Sequence, residues 1–451
     1  MKSRRLAITV SFTSSVLLAA VAIFGFSAFA FAEDHGERGE RMSRISDQYI
    51  VVLKDGVSNV DQTETDILSR VRGERIASYR TALSGFAVRM SAESAQVLMS
   101  DPRVAFVSED YVVSIARSSR EDTVEIAGRN RTPPSPVFPP PPPPPAPTQI
   151  LPTGVDRINA ETKTNTGSGI HVAVIDTGID LSHPDLQASI VGGKNCSTGS
   201  SYADQNGHGT HVAGTIGARN NSLGVVGVAP GASLWSVRVL DKNGNGSWSS
   251  VICGLDFVAS KGPANGGPIT VANMSLGGGG SSDNNCGNTN SDALHRAICR
   301  VRDAGVVVVV AAGNSGANTS GFAPAAYDDA VITVSALVDT NGTQGGGGSN
   351  TSYGADDTFA SFSNYGTAVD IGAPGVNINS TWLSGGYKSI SGTSMASPHV
   401  AGAVALYLFA NPGSSWTSVR DALIASGEGI GSGHTDPSGK HPEQVLRADS
   451  L

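Results

Sequence analysis

The run Val172-Ala173-Val174-Ile175-Asp176-Thr177-Gly178 decides how the larger part of this chain is read. Four apolar residues, three of them β-branched, lead straight into an aspartate and a turn. No polar residue alternates with them, so the strand is buried on both faces, as in a parallel sheet covered by helices. Similar runs recur at 170–175, 232–239, 269–274, 305–312 and 330–336, with helical stretches between them. Residues 149–451 therefore predict an α/β domain. Ligands and catalysis in open parallel sheets sit beyond the carboxyl ends of the strands. Asp176 occupies such a position, although an isolated aspartate there is more often structural than catalytic.

Two further motifs follow in order. In Asn206-Gly207-His208-Gly209-Thr210-His211-Val212-Ala213-Gly214, glycines flank His208 where a helical stretch begins. A His pair three residues apart is compatible with a metal, but no third ligand has suitable spacing and the carboxylate of HExxH is missing. In Ser391-Gly392-Thr393-Ser394-Met395-Ala396-Ser397-Pro398-His399, Ser394 opens a helix that continues through Val404 and Leu408. A helix N-terminus offers free N–H groups and a positive dipole end, which suits a developing anion. A lone serine there would be a simple cap.

The three together change the reading. A serine hydroxyl is a weak nucleophile and needs a base. Histidine supplies one near neutral pH, and a buried aspartate orients and stabilises the imidazole. The order Asp…His…Ser differs from the chymotrypsin order and from that of α/β-hydrolases, and no GxSxG surrounds Ser394. An esterase or lipase is disfavoured on that ground. On these motifs the chain resembles the subtilisin-like (subtilase) serine endopeptidases, in the branch that holds proteinase K, over residues 48–116 and 149–430.

The resemblance implies a three-layer parallel-sheet catalytic domain preceded by a small α+β, ferredoxin-like propeptide. It implies Asp176, His208 and Ser394 as the triad. Val310-Ala311-Ala312-Gly313-Asn314-Ser315-Gly316 supplies Asn314 as oxyanion donor, acting with the Ser394 N–H. Working pH is expected to be neutral to alkaline, since His208 must be unprotonated to act as a base. Relatives that use Glu as base and Asp at the oxyanion position do not match.

Substrate backbone is expected between Gly244-Asn245-Gly246 on one side and Ser275-Leu276-Gly277 on the other, a grip that does not read sequence. Trp248 matches an aromatic lining the pocket four residues before the scissile bond. Ala312, Gly313 and Phe322 match the primary pocket, where Phe322 should shorten the space and favour small or medium apolar side chains. The resemblance also implies structural calcium, held by Gln149, Asp185, Asn221 and the carbonyls of Arg219, Leu223 and Val225. Cys196, Cys253, Cys286 and Cys299 permit three pairings; the expected one joins 286–299 and 196–253.

The ends of the chain carry other signals. Lys2, Arg4 and Arg5 precede an apolar stretch from Leu6 to Phe31, and Ala30-Phe31-Ala32 resembles a cleavage site. Residues 1–32 read as an export signal, with an uncleaved anchor as the alternative. A secreted or periplasmic protein is expected. Residues 33–116 read as the propeptide, folded from about 48, with cleavage between Ala116 and Arg117. Residues 117–148 include seven consecutive prolines, Pro139–Pro145, and read as a stiff linker. Relatives begin the catalytic core almost at once after cleavage; this chain does not.

Composition agrees. Of 451 residues 16% are charged and 55 are glycine, against about 25% and 7% in ordinary domains, so turns dominate over long charged helices. The net charge of −8 argues against nucleic acid as partner. Expected partners are polypeptide substrates and the chain's own propeptide, on a monomer. A non-catalytic surface protein of the same fold, with the Pro-rich segment tethering it, would predict loss of Asp176, His208, Asn314 or Ser394. All four are present.

Overall fold

The computed structural model describes residues 43–115 and 149–451. The expected signal 1–32, the linker 117–148 and both cleavage residues, Ala116 and Arg117, lie outside the described residues.

The first part comprises β1 (Arg44–Leu53), α1 (Val60–Val71), β2 (Glu74–Tyr79), β3 (Gly85–Arg89), α2 (Ala92–Leu98) and β4 (Val104–Ile115). Its strands pair antiparallel in the order β4-β1-β3-β2, a ferredoxin-like α+β unit. The period of two decides which face each side chain takes. Tyr49, Val51 and Leu53 pack in the core of this unit, with Ile67 and Leu98 of the two helices. Ile50 and Val52 join a cluster of the larger domain instead. The sheet is thus apolar on both faces and needs the second domain to cover one of them.

The larger part runs α3 (Thr153–Arg157), β5 (His171–Asp176), β6 (Ile190–Asn195), α4 (His208–Gly217), β7 (Ser233–Arg238), β8 (Asn245–Ser247), α5 (Trp248–Ser260), β9 (Ile269–Met274) and β10 (Leu276–Gly279). It continues with α6 (Ala293–Asp303), β11 (Val307–Ala311), β12 (Phe322–Ala323), β13 (Ile332–Val338), β14 (Thr358–Phe359) and β15 (Ile371–Pro374). It ends with β16 (Ile378–Trp382), β17 (Gly386–Ile390), α7 (Thr393–Ala410), α8 (Trp416–Ser426) and β18 (Gln444–Val445).

The main sheet has the order β18-β15-β13-β11-β9-β5-β7-β6, all parallel, with β14 antiparallel to β13. Alternate residues of each strand serve opposite layers. Val172, Val174 and Val309 pack with α4 and α7. Ala173, Ile175, Val308 and Val310 pack with α5 and α6. Each such valine or isoleucine side chain, fully buried, contributes about 1.5–3 kcal/mol. From β5 the chain winds to β6 and β7 on one side, and from β9 onward on the other. The crevice at that switch point lies beyond the carboxyl ends of β5 and β9.

Disulfides join Cys196 to Cys253 and Cys286 to Cys299. Among the described residues, no helix is long and apolar enough to cross a membrane.

Candidate active site

Asp176 ends β5 with its carboxylate fully buried. Its Oδ1 accepts from the Thr177 N–H at 2.7 Å, and its two oxygens lie 2.9 and 3.0 Å from Nδ1 of His208. His208 is the first residue of α4. Two glycines permit this entry. Gly207 has φ +110°, and a Cβ there would strike the Trp382 ring. A Cβ on Gly209 would strike the Gly178 carbonyl. Asp204 then fixes the start of the helix, accepting from the Asn206 and Gly207 N–H groups and from both Thr210 N and Oγ1. Asp204 lies three residues ahead of the N-cap Gly207, outside the position where a capping residue is read from sequence, and only the fold brings it to Thr210.

His211 is a buried structural residue. Its Nε2 faces the carbonyls of Ile378 and Lys388 at 2.8 and 3.1 Å. Burial pushes its pKa down to about 3, so the ring is neutral at ordinary pH.

Ser394 is buried in the first turn of α7, and its hydroxyl donates to the Ser275 carbonyl at 3.1 Å. Among the described residues that carbonyl, and not His208, is the acceptor of this hydroxyl. Pro398 explains why Ser275 is needed. Proline has no N–H, so the Ser394 carbonyl loses the donor that the helix would give it. The Ser275 hydroxyl supplies it at 2.9 Å, and also meets Ser397 Oγ at 2.9 Å.

Asn314 lies just beyond β11. Its Oδ1 accepts from Thr393 N at 2.8 Å and Thr393 Oγ1 at 2.9 Å. The oxygen end of the amide is thereby committed to the start of α7, one residue before Ser394. Thr393 Oγ1 in turn accepts from Gly313 N at 3.0 Å. Asn364, fully buried, binds the same turn through the Ala312 carbonyl and the N–H groups of Ser315 and Ala317. No local sequence signal marks Asn364, which stands 50 residues from Asn314.

Next to these residues β4 of the first domain leaves its own sheet. Val112, Val113 and Ser114 pair antiparallel with Ser247, Gly246 and Asn245, while Ile115 and Ser114 pair with Leu276 and Gly277. The Ile115 N–H reaches the Gly244 carbonyl at 3.0 Å, and a Cβ on Gly244 would press on the Ile115 side chain. Trp248 is buried, and a Cβ on Gly278 would lie 3.1 Å from its ring. A pocket opens beside the strand, lined by Ser114, Leu276, Gly277, Ala312, Gly313, Asn314 and Phe322. Ala325 also lines it and was not expected.

The expected calcium residues also converge. Asp185 Oδ1 accepts from Asn221 Nδ2 at 3.0 Å, and Oδ2 from Val225 N at 3.1 Å and Tyr387 Oη at 2.8 Å. Gln149 reaches the Arg219 carbonyl at 2.9 Å and the Val225 carbonyl at 3.4 Å. It turns its nitrogen to them, where a cation would require its oxygen. Asn221 Oδ1 accepts from Leu223 N at 2.9 Å. Gly224, at φ +49°, lets the loop approach Tyr387 Oη and Asp185 Oδ2, which a Cβ there would strike. One carboxylate, two amides and two carbonyls brought together here are of the oxygen-donor types that a hard cation takes.

Residues 167–441 match the subtilase family, and residues 48–116 match the peptidase inhibitor I9 family. The chain is 34% identical to subtilisin NAT of Bacillus subtilis subsp. natto over 442 residues, 96% of each chain. It is 41% identical to subtilisin DY of Bacillus licheniformis over 291 residues, which is 63% of this chain and 93% of that protein. A solved cold-adapted subtilisin-like serine proteinase superposes with a TM-score of 0.54 at 36% identity, covering 66% of this chain and 97% of that one. The chain belongs to the subtilase family of serine endopeptidases and carries an inhibitor-type propeptide domain ahead of its peptidase domain.

Proposed function

We propose that this is a secreted, broad-specificity endopeptidase, stabilised by calcium and made as a self-processing zymogen. Residues 1–32 are the signal, 33–116 the propeptide, 117–148 a linker and 149–451 the peptidase domain. The observation that carries this reading is the course of β4, held between β8 and β10 as a substrate strand would be, with Ser114 near its end lining the same pocket as Asn314.

The chemistry follows from the contacts. With Nδ1–H held by Asp176, His208 keeps Nε2 as the basic nitrogen. Rotation about χ1 turns the Ser394 hydroxyl from the Ser275 carbonyl towards Nε2. Oγ attacks the scissile carbonyl as its proton passes to His208. The new oxyanion is received by the Asn314 amide N–H and the Ser394 backbone N–H. His208 returns the proton to the leaving amine. Water, activated by the same base, then releases the acyl group. The two flanking strands bind backbone alone, which is the basis of the broad specificity.

Calcium supplies no chemistry to this reaction. Asp185, Asn221, Gln149 after a flip of its amide, and the Arg219, Leu223 and Val225 carbonyls would hold it. Binding only the folded state, it raises stability by mass action.

Casein hydrolysis, with peptides bearing Ala, Phe or Lys before the cleaved bond, tests this reading. Phe322 in the pocket wall predicts that Ala peptides are cut faster than Lys peptides. Preference for Lys, or failure on casein by folded protein, contradicts it.

A further inference from the structure

Residues 116–148 lie between the two folded parts and have no role in the proposed chemistry. At one end of it, Ile115 is held in the cleft by Leu276 and Gly244. At the other end, Gln149 and Ile150 are already seated on the loop after α4. Gln149 reaches the Arg219 carbonyl, and the Ile150 N–H donates to Gly224 O at 2.6 Å. Both ends are anchored in the same uncut chain.

These anchors lie at opposite ends of α4. His208 begins that helix beside the cleft, and Gly217 ends it just before the loop. Its ten residues span about 15 Å at 1.5 Å per residue. One trans peptide link spans about 3.8 Å between Cα atoms, so adjacent residues could not occupy both anchors. Here 33 residues, 116–148, intervene. At about 3.3 Å each they reach up to about 110 Å. A core of about 300 residues is only roughly 50 Å across.

We infer that segment 116–148 uncouples seating of the core's N-terminal strand from propeptide cleavage. The uncleaved chain holds Gln149 and Ile150 in their final place and completes the cation loop while β4 still fills the cleft. Cleavage then breaks the bond between the Ala116 carbonyl carbon and the Arg117 nitrogen. Water adds its hydroxyl to the carbon and its proton to the new amine. This step changes the occupancy of the cleft and leaves the loop as it was. A chain cut late is thus a fully built, latent enzyme and not a partly folded one.

The inference rests on the proposed self-cleavage and cation loop, and the test separates it from both. Three proteins are compared: the full chain with Ser394→Ala, the same chain lacking 117–148, and processed wild type. Amide exchange at Ile150 and the melting shift with calcium chloride are read. In the uncleaved full chain, Ile150 should be protected to within about threefold of processed wild type, with the same calcium shift. In the shortened chain, Ile150 protection should fall by about tenfold or more, while Val309 in the central sheet stays protected. Free exchange of Ile150 in the uncleaved full chain, gaining protection only after cleavage, overturns the inference. So does full protection in the shortened chain. A wild type that stays intact by mass refutes self-processing, and Ile150 of the uncleaved chain still decides the seating. Protection without a calcium shift refutes the ion and supports the seating.

Discussion

Pro398 removes a helical donor from the very residue proposed as the nucleophile, and Ser275 restores it. A buried carbonyl left without a donor costs about 1–3 kcal/mol. The Ser275 hydroxyl therefore ties the carboxyl end of β9 to the start of α7. Thr393 performs a similar task for Asn314, accepting from Gly313 N while donating twice to Oδ1. The amide proposed as oxyanion donor is held before substrate arrives, which is what would make it effective. Asn314→Ala should lower kcat by about 10²–10³ and leave KM within about threefold, measured with a single peptide substrate. An unchanged kcat would remove Asn314 from the oxyanion hole. At this scale the residues legible in the sequence were those inside continuous runs: Asp176, His208, Asn314 and Ser394. Asn364 and the pairing of Ser275 with the turn before Pro398 were hidden, because their partners lie 47–52 and 119–122 residues away and only the fold joins them.

Among the elements, β4 is both the edge of the propeptide sheet and the strand that fills the cleft. Its grip is reinforced at α5. Asp110, fully buried, accepts from the Ser249 N–H at 3.0 Å at the start of that helix. Burial raises the pKa of this carboxyl, although its hydrogen bonds oppose the shift. Further along α5, Asp256 Oδ1 receives the N–H groups of Arg80, Thr81 and Ala82 at 2.9, 2.6 and 2.8 Å. A half-buried carboxylate with three backbone donors is a strong tie. Asp256→Ala should weaken inhibition about 10–100-fold and shorten the lag between cleavage and casein hydrolysis. An unchanged lag would contradict the role of this contact. The long buried strands were legible because a continuous apolar run has few other readings. β2 was not, since most of its residues are exposed and it carries no apolar run. β8 and β10, with three and four residues, are too short for a period to appear and were found only through the resemblance.

At the scale of the molecule, buried carboxyls set how stability responds to pH. The Asp370 side chain is 7% exposed and accepts from Thr333 N at 2.8 Å. Arg420 lies 3.9 Å away, too far to offset burial, and the like charges of Asp328 and Asp421 add to it. The pKa is pushed up from 3.8 to about 7. The folded state therefore holds a proton that the unfolded state releases. The stability this gives is fully present below the unfolded value and is lost as pH rises through about 7. Asp370→Asn keeps the acceptor for Thr333 and cannot ionise. It should raise Tm at pH 9 by roughly 2–4 °C per kcal/mol recovered and do little near pH 4. A lower Tm at pH 9 would contradict the sign.

The central claim is that this chain cuts itself with Ser394, and one paired measurement tests it. Wild type and Ser394→Ala, each without residues 1–32, are incubated in calcium. Intact mass, the new N-terminal sequence and casein hydrolysis are recorded. The account predicts that only wild type shortens and digests casein, with a new terminus at Arg117 or, after further trimming, near Gln149. Ser394→Ala should remain full length, folded and inert. If both shorten, another protease makes the cut. If both stay full length and inert though folded, the self-processing mechanism is wrong.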